Sequence, residues 1–223
     1  MNSHHNGEVD LPRLRISEIF YSLQGETKTV GLPTVFIRLT GCPLRCQYCD
    51  TTYAFKGGEW MTLDAIMEMV SQYNTKYVTV TGGEPLAQKS CNELLLRLCD
   101  SGYEVSLETS GALDISGVDS RVSRAMDLKT PASEEESKNL YSNIEHLTSH
   151  DQVKFVICDR NDYVWAKKQI TDYELVNRCE ILFSASHTEL NPRELADWIL
   201  KDQLPVRFQL QLHKYLWNDE PGR

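Results

Sequence analysis

The residues with the greatest capacity for chemistry are Cys42, Cys46 and Cys49, three cysteines within eight residues of the run Gly41-Cys42-Pro43-Leu44-Arg45-Cys46-Gln47-Tyr48-Cys49-Asp50-Thr51. Thiolates spaced by four and three in one loop can converge on one inorganic centre, and sulfur selects softer metals than magnesium or calcium. No fourth cysteine lies nearby. A structural zinc site closes its tetrahedron with four protein ligands, whereas a reactive centre keeps one position open. An iron-sulfur cube on these three cysteines would leave one iron for another molecule to bind.

The segment feeding this loop, Thr34 to Thr40, is almost continuously apolar and β-branched, which predicts a strand covered on both faces of a parallel sheet. The chemistry therefore belongs at a strand's C-terminal end. Further strands are predicted at Arg15–Leu23, Tyr77–Val80, Glu104–Glu108, Ala125–Lys129, Val153–Cys158, Glu180–Phe183 and Val206–Leu212. Between them, helical spacing is seen at Leu63, Ile66, Met67 and Val70 behind a Thr62 cap, and at Cys91, Leu95 and Leu98 behind a Ser90/Glu93 capping box. Leu140, Ile144 and Leu147 suggest another helix, as do Asp162–Ile170 and the stretch after Asn191-Pro192. The acidic run between Ser133 and Lys138 reads as a solvated loop or helix start.

Alternating strands and helices at this pitch predict an α/β fold, a partial, open β/α barrel of about six or seven mostly parallel strands. A closed eightfold barrel typically takes about 250 residues, more than the 223 here. The expectation is one domain over 1–223, with tails at 1–11 and 216–223. In such barrels the reacting groups collect at strand C-termini, here the cysteine loop, Thr81-Gly82-Gly83-Glu84-Pro85, Glu108–Gly111, Asp127–Lys129, Ser184–Ser186 and His213.

A net charge of -9 argues against tracking a nucleic-acid backbone, which needs a clustered basic face. No apolar run approaches a membrane span's length. Seven cysteines, clustered once and otherwise scattered, fit thiols in a reducing cytoplasm. Cys91, Cys99, Cys158 and Cys179 are expected to pack as small hydrophobes. His4 and His5 fall in the polar start.

Cys-x3-Cys-x2-Cys with Tyr48 before the last cysteine, together with Gly82-Gly83-Glu84-Pro85, resembles the radical S-adenosylmethionine superfamily. That resemblance implies a [4Fe-4S] cluster on Cys42, Cys46 and Cys49, with the cofactor chelating the fourth iron and yielding a 5′-deoxyadenosyl radical. Ser22–Glu26, Phe36–Cys42, Cys49–Thr51, Glu108–Gly111 and Gln211–Tyr215 resemble, more narrowly, the 7-carboxy-7-deazaguanine synthase family. It implies a lyase of queuosine and 7-deazapurine biosynthesis acting on 6-carboxy-5,6,7,8-tetrahydropterin with loss of ammonia. A homodimer, Mg2+ and a reducing protein such as flavodoxin or ferredoxin are implied with it.

Carried over position by position, the resemblance assigns Leu23, Gln24, Gly25, Arg38, Thr81 and His213 to substrate and Thr51 to Mg2+. It assigns Tyr48, Cys49, Asp50, Gly83, Glu84, Ser110, Asp127, Leu128, Lys129, Ser184 and Ser186 to the cofactor. No protein acid or base is required. Thr27 stands where the family usually has glycine, which makes the backbone after Glu26 a point of departure. Asp127-Leu128-Lys129 replaces a serine-proline-lysine run, so Lys129 alone transfers directly. Two alternatives remain at this level, an activating enzyme that makes a glycyl radical on a partner, and a zinc module using the cysteines with Asp50 or a histidine.

Overall fold

The computed structural model describes residues 11–187, 189–218, 220 and 222. His4, His5 and all of the polar start except Leu11 lie outside the described residues. The elements are β1 (Arg13–Leu23), β2 (Pro33–Leu39), β3 (Glu59–Thr62), α1 (Leu63–Ser71), β4 (Tyr77–Gly82), α2 (Cys91–Asp100) and β5 (Glu104–Thr109). They continue with β6 (Ser123–Asp127), β7 (Gln152–Ile157), α3 (Arg160–Asp172), β8 (Glu180–Ala185), α4 (Pro192–Asp202), β9 (Arg207–Gln209) and α5 (Leu212–Trp217).

One sheet holds all these strands in the order β3-β1-β2-β4-β5-β6-β7-β8-β9. The run from β2 through β4 to β9 is parallel, as the alternating pattern predicts. β1 pairs antiparallel with β2 and with β3, which brings the described sheet to nine strands rather than six or seven. Four residues of mixed polarity carry no strand pattern of their own, so β3 escapes a sequence reading.

One face of the sheet is apolar and the other polar. Val35, Ile37, Leu39, Val78, Val80, Val105, Leu107, Val153, Phe155, Ile181 and Phe183 are buried in the core cluster with residues of the helices. In α1 the buried residues are Leu63, Ile66 and Val70, each worth about 1.5–3 kcal/mol by its removal from water. The Thr62 side chain caps this helix by accepting from the Ala65 N–H at 3.2 Å. Residues at the alternate positions, Thr79, Thr81, Ser106, Glu108, Asp127, Gln152 and Lys154, form the polar inner face of the open barrel.

Local expectations fail in four places, each for a physical reason. Ser90 makes no side-chain cap; the Cys91 N–H instead donates to Gln88 O at 2.9 Å, and Glu93 pairs with Arg97. The stretch containing Ile144 forms a 3-10 helix, Tyr141–His146. There the buried Asn143 spends its side chain on Gly111 O, Leu113 O and the Ile115 N–H, and so ties down the connection after β5. The last strand stops at Gln209, and Leu212–Trp217 is helical, so His213 sits in the first turn of α5 rather than at a strand end. The tail expected from 216 therefore begins inside a helix. Finally, the acidic run is not merely solvated: Glu135 accepts from the Arg45 N–H at 2.5 Å and Glu136 from Trp165 Nε1 at 2.9 Å.

Candidate active site

The cysteine loop leaves β2 through Gly41, whose φ of 100° is open to glycine and strained for other residues. Its N–H donates to Ala54 O at 2.7 Å and its carbonyl accepts from the Glu84 N–H at 2.8 Å. Gly83 lies directly against this carbonyl. A Cβ added there would stand 2.1 Å from Gly41 O and 3.0 Å from Cys42 Cβ, so the glycine is what lets the β4 turn meet the cysteine loop backbone to backbone. Cys42, Cys46 and Cys49 are free and half-buried. Burial pushes all three thiols up, Cys46 to about 11.

Among the described residues no three Cys, His, Asp or Glu side chains surround one ion position. A cube that takes one cysteine per iron suits this donor set. No fourth cysteine joins the loop, so a cube held here would leave one iron for another molecule to bind.

Glu84 is wholly buried. Its carboxylate accepts from Thr109 Oγ1 at 3.0 Å, the Ser110 N–H at 2.7 Å, Ser110 Oγ at 2.5 Å and the Leu86 N–H at 3.0 Å. The carboxylate is thus a clamp between the ends of β4 and β5, and it fixes both Gly83 and Ser110. Beyond it stands the end of β6. Lys129 Nζ lies 2.8 Å from Asp127 Oδ2 and 5.9 Å from the centre of the Tyr48 ring. Burial lowers the Lys129 ammonium, but Asp127 beside it more than compensates and holds it well above its ordinary value.

Tyr48 OH and Asp127 Oδ1 are buried without a hydrogen-bond partner, two orphaned polar atoms on the side of the site assigned to a nucleoside cofactor. Such atoms fit a ligand bearing hydroxyl and amine donors. Leu128 is a core residue whose N–H donates to Lys154 O at 3.0 Å, so only its backbone faces other groups. Ser184 Oγ donates to Gln209 O at 3.3 Å, and Ser186 is buried with its N–H on Ile157 O at 2.9 Å.

The residues assigned to the substrate form a second group on the inner face. Gln24 Nε2 donates to Thr79 Oγ1 at 3.1 Å and Glu108 Oε1 at 3.2 Å, and Thr81 Oγ1 donates to Glu108 Oε2 at 2.9 Å. Arg38 Nε reaches Glu18 Oε1 at 2.6 Å, where Tyr53 OH also donates at 2.7 Å. A β-bulge between Ile16 and Glu18 brings Glu18 opposite Arg38. Gly25 carries the close approach of α5: an added Cβ would lie 2.3 Å from His213 Nδ1, and the Leu212 N–H donates to Gly25 O at 3.0 Å. Leu23, half-buried, ends β1 beside this turn. Thr51 Oγ1 donates to Asp50 Oδ1 at 2.8 Å, and Lys214 Nζ stands 3.2 Å from Asp50 Oδ2.

Sequence reasoning overlooks Glu18, Lys154 and Gln209, and leaves Glu26, Glu108 and Gln211 in quoted motifs without a role. Lys154 Nζ is 2.6 Å from Glu26 Oε2 and 3.8 Å from Asp127 Oδ2, while Gln211 Nε2 donates to Glu26 Oε1 at 3.0 Å. Burial works against both charges, yet each carries the other: Glu26 is held below the usual carboxylate range and Lys154 above the usual ammonium range. The signal was there as period-two polarity, Thr79-x-Thr81, Ser106-x-Glu108 and Gln152-x-Lys154, in strands that an α/β core would keep apolar.

Comparison with known proteins adds an independent line. The model of the radical SAM superfamily matches residues 36–129. The 7-carboxy-7-deazaguanine synthase of Chlorobaculum tepidum is 45% identical over 210 residues, covering 93% of this chain and 96% of that protein. The protein of the same name from Koribacter versatilis is 41% identical over 222 residues, covering 93% and 98%. Among solved structures, QueE from Escherichia coli superposes with a TM-score of 0.76 at 20% identity, over 90% of this chain and 95% of that one, a likeness of fold.

Proposed function

The chain belongs to the 7-carboxy-7-deazaguanine synthase family of radical S-adenosylmethionine lyases, and we propose how its own residues share the conversion of 6-carboxy-5,6,7,8-tetrahydropterin to 7-carboxy-7-deazaguanine and ammonia. The observation that carries this reading is the contact of Gly83 with Gly41 O, which joins the three-cysteine loop to a polar barrel interior. When bound, the [4Fe-4S] cluster and S-adenosylmethionine supply one-electron chemistry that removes a hydrogen atom from substrate C6 and later returns it. Cys42, Cys46 and Cys49 hold the cluster. Tyr48, Asp50, Gly83, Ser110, Asp127, Lys129, Ser184 and Ser186 bind the cofactor, with Leu128 contributing backbone. Glu84, its oxygens already engaged by Thr109 and Ser110, positions these groups.

On the substrate side, Gln24 and Glu108 present an amide and a carboxylate edge to the flat heterocycle, whose donors and acceptors they complement. Leu23, Gly25, Thr81 and His213 complete that wall. Arg38, oriented by Glu18, meets the substrate carboxylate through a charge-assisted bond. Thr51 offers a hydroxyl oxygen to Mg2+, a hard cation that also suits a carboxylate. Lys154 and Glu26, paired at 2.6 Å, form an electrostatic frame beside this wall. The protein works as a single domain and as a homodimer in a reducing cytoplasm, supplied with electrons by a flavodoxin or ferredoxin. Seven unpaired cysteines support the compartment.

Anaerobic reconstitution followed by iron and sulfide analysis, then turnover of carboxytetrahydropterin with mass detection, tests this. About four irons and four sulfides per chain and a deazaguanine product formed without stoichiometric loss of S-adenosylmethionine are expected. One zinc without labile sulfide, or no product, overturns it. Thr51→Val should weaken the Mg2+ dependence of turnover about tenfold, a loss of about 1.4 kcal/mol in binding, while cofactor cleavage persists. An unchanged Mg2+ titration removes Thr51 from the metal site.

A further inference from the structure

We propose that Lys154 is a positioning residue that couples cofactor binding to substrate binding. Its ammonium sits between two carboxylates with opposite allegiances. Glu26, at 2.6 Å, belongs to the turn Gln24–Glu26 that faces the pterin, and Asp127, at 3.8 Å, belongs to the β6 end that faces the cofactor. A continuous chain results: Lys129–Asp127–Lys154–Glu26–Gln211, reaching from the Tyr48 ring to the segment that precedes His213. The inference rests on the functional reading above, since that reading supplies the two ligands.

Asp127 is the member free to respond. One of its oxygens is engaged by Lys129, whereas Oδ1 is buried with no partner. A donor arriving at Oδ1, whether a ribose hydroxyl or a cationic centre nearby, satisfies that oxygen and weakens the carboxylate's pull on Lys154. The ammonium then commits to Glu26 alone. Glu26 in turn anchors the turn whose Gln24 bonds Glu108 and whose Gly25 abuts His213. In a low-dielectric interior such competition between charges a few ångströms apart is strong. By linkage, substrate must favour the cofactor by the same factor by which the cofactor favours substrate.

The experiment uses the reconstituted full chain with its cluster left oxidised, so that no turnover occurs. Carboxytetrahydropterin affinity is measured with and without saturating S-adenosylmethionine, and the reverse. Wild type should show tightening of at least about fivefold, equal in both directions. Lys154→Met and Asp127→Asn should each bring the factor to within about twofold of one, and the double variant should lose no more, as expected of residues acting in one unit. Lys154→Arg should keep much of it. Should Lys154→Met fail to hold a cluster, Glu26→Gln/Lys154→Met removes both buried charges together and should also be uncoupled. A Lys154→Met or Glu26→Gln/Lys154→Met protein with the wild-type factor overturns the proposal, as does a wild type that binds both ligands independently. A wild type that binds neither ligand overturns the functional reading and the proposal with it.

Discussion

Thr27 adopts φ of 63°, a left-handed conformation that a β-branched residue enters at a cost of about 1–3 kcal/mol. The family usually has glycine at this position, and the conformation here is one that glycine adopts without strain. Gln209 holds the strained peptide, accepting from the Thr27 N–H at 3.1 Å and donating to its carbonyl at 2.6 Å. Thr27→Gly should therefore raise stability by about 1 kcal/mol, read as a higher denaturant midpoint with an unchanged slope. A lower midpoint would mean that the Thr27–Thr29 hydroxyl contact outweighs the strain. Gly25 makes the opposite case, because space rather than φ requires it. Gly25→Ala should drive His213 away and weaken pterin binding about tenfold, equivalent to about 1.4 kcal/mol, while cluster absorbance stays at the wild-type level. Unaltered pterin affinity would show that His213 is not part of that wall.

At the level of elements, the neighbouring strands β6 and β7 are locked near their N-terminal ends by a buried pair. Arg124 donates through Nε to Asp151 Oδ1 at 2.9 Å and through Nη2 to Oδ2 at 2.6 Å, and Asp151 also accepts from the Thr148 N–H at 2.8 Å. Burial raises the Asp151 carboxyl, but Arg124 and the Thr148 N–H reverse this and hold it below the ordinary value of 3.8. A depressed carboxyl contributes stability that is complete well above pH 3.8 and lost as pH falls through the folded value. Asp151→Asn should consequently cost about 3–5 kcal/mol at pH 7, because the Arg124 charge is left uncompensated. The deficit should shrink as the pH of the unfolding experiment falls below 3.8, and one that is constant with pH would contradict the ionic account. Helix starts behave less uniformly. Thr62, Asp159 and Asn191 cap as their types suggest, whereas α2 follows a preceding 3-10 turn and leaves its serine unused.

Across the whole molecule, the turn after β1 folds across the open side of the barrel and meets the far end of the sheet. Its floor contacts are Lys28 N–H to Gln152 Oε1 at 2.6 Å, Glu26 to Lys154, and Thr27 to Gln209. A cavity of about 300 Å³ lined by Thr34, Tyr77, Thr79, Tyr103, Ser106 and Gln152 lies at the N-terminal ends of the strands, away from the cysteines. The turn lines this cavity through Thr27, Lys28 and Thr29. Gln209→Leu removes both bonds to Thr27 and leaves a buried peptide unpaired, at about 1–3 kcal/mol. Hydrogen exchange of residues 24–32 should accelerate in that variant by about tenfold or more, while that of β4 and β5 is unchanged. Equal acceleration everywhere would mean that the turn has no separate closure. Among the described residues no helix is long and apolar enough to cross a membrane.

Everything carried by local spacing is legible in the amino-acid order. The cysteine loop, the Gly82-Gly83 turn, the parallel strands and most helices follow from residue periodicity and turn chemistry, which act over a few positions. Which groups meet is set by the fold. Glu26 and Lys154 are 128 positions apart, and Thr27 and Gln209 are 182 apart. No local rule pairs them. The resemblance assigns Glu84 to the cofactor, and only the fold shows that its carboxylate accepts from Thr109 and Ser110, which β5 brings alongside. His213 read as a strand end because apolar residues precede it, yet the chain turns at Gln211 to seat α5 on Gly25. A buried charge must find an opposite charge wherever the fold supplies one, and that search is settled by the packing of the whole sheet.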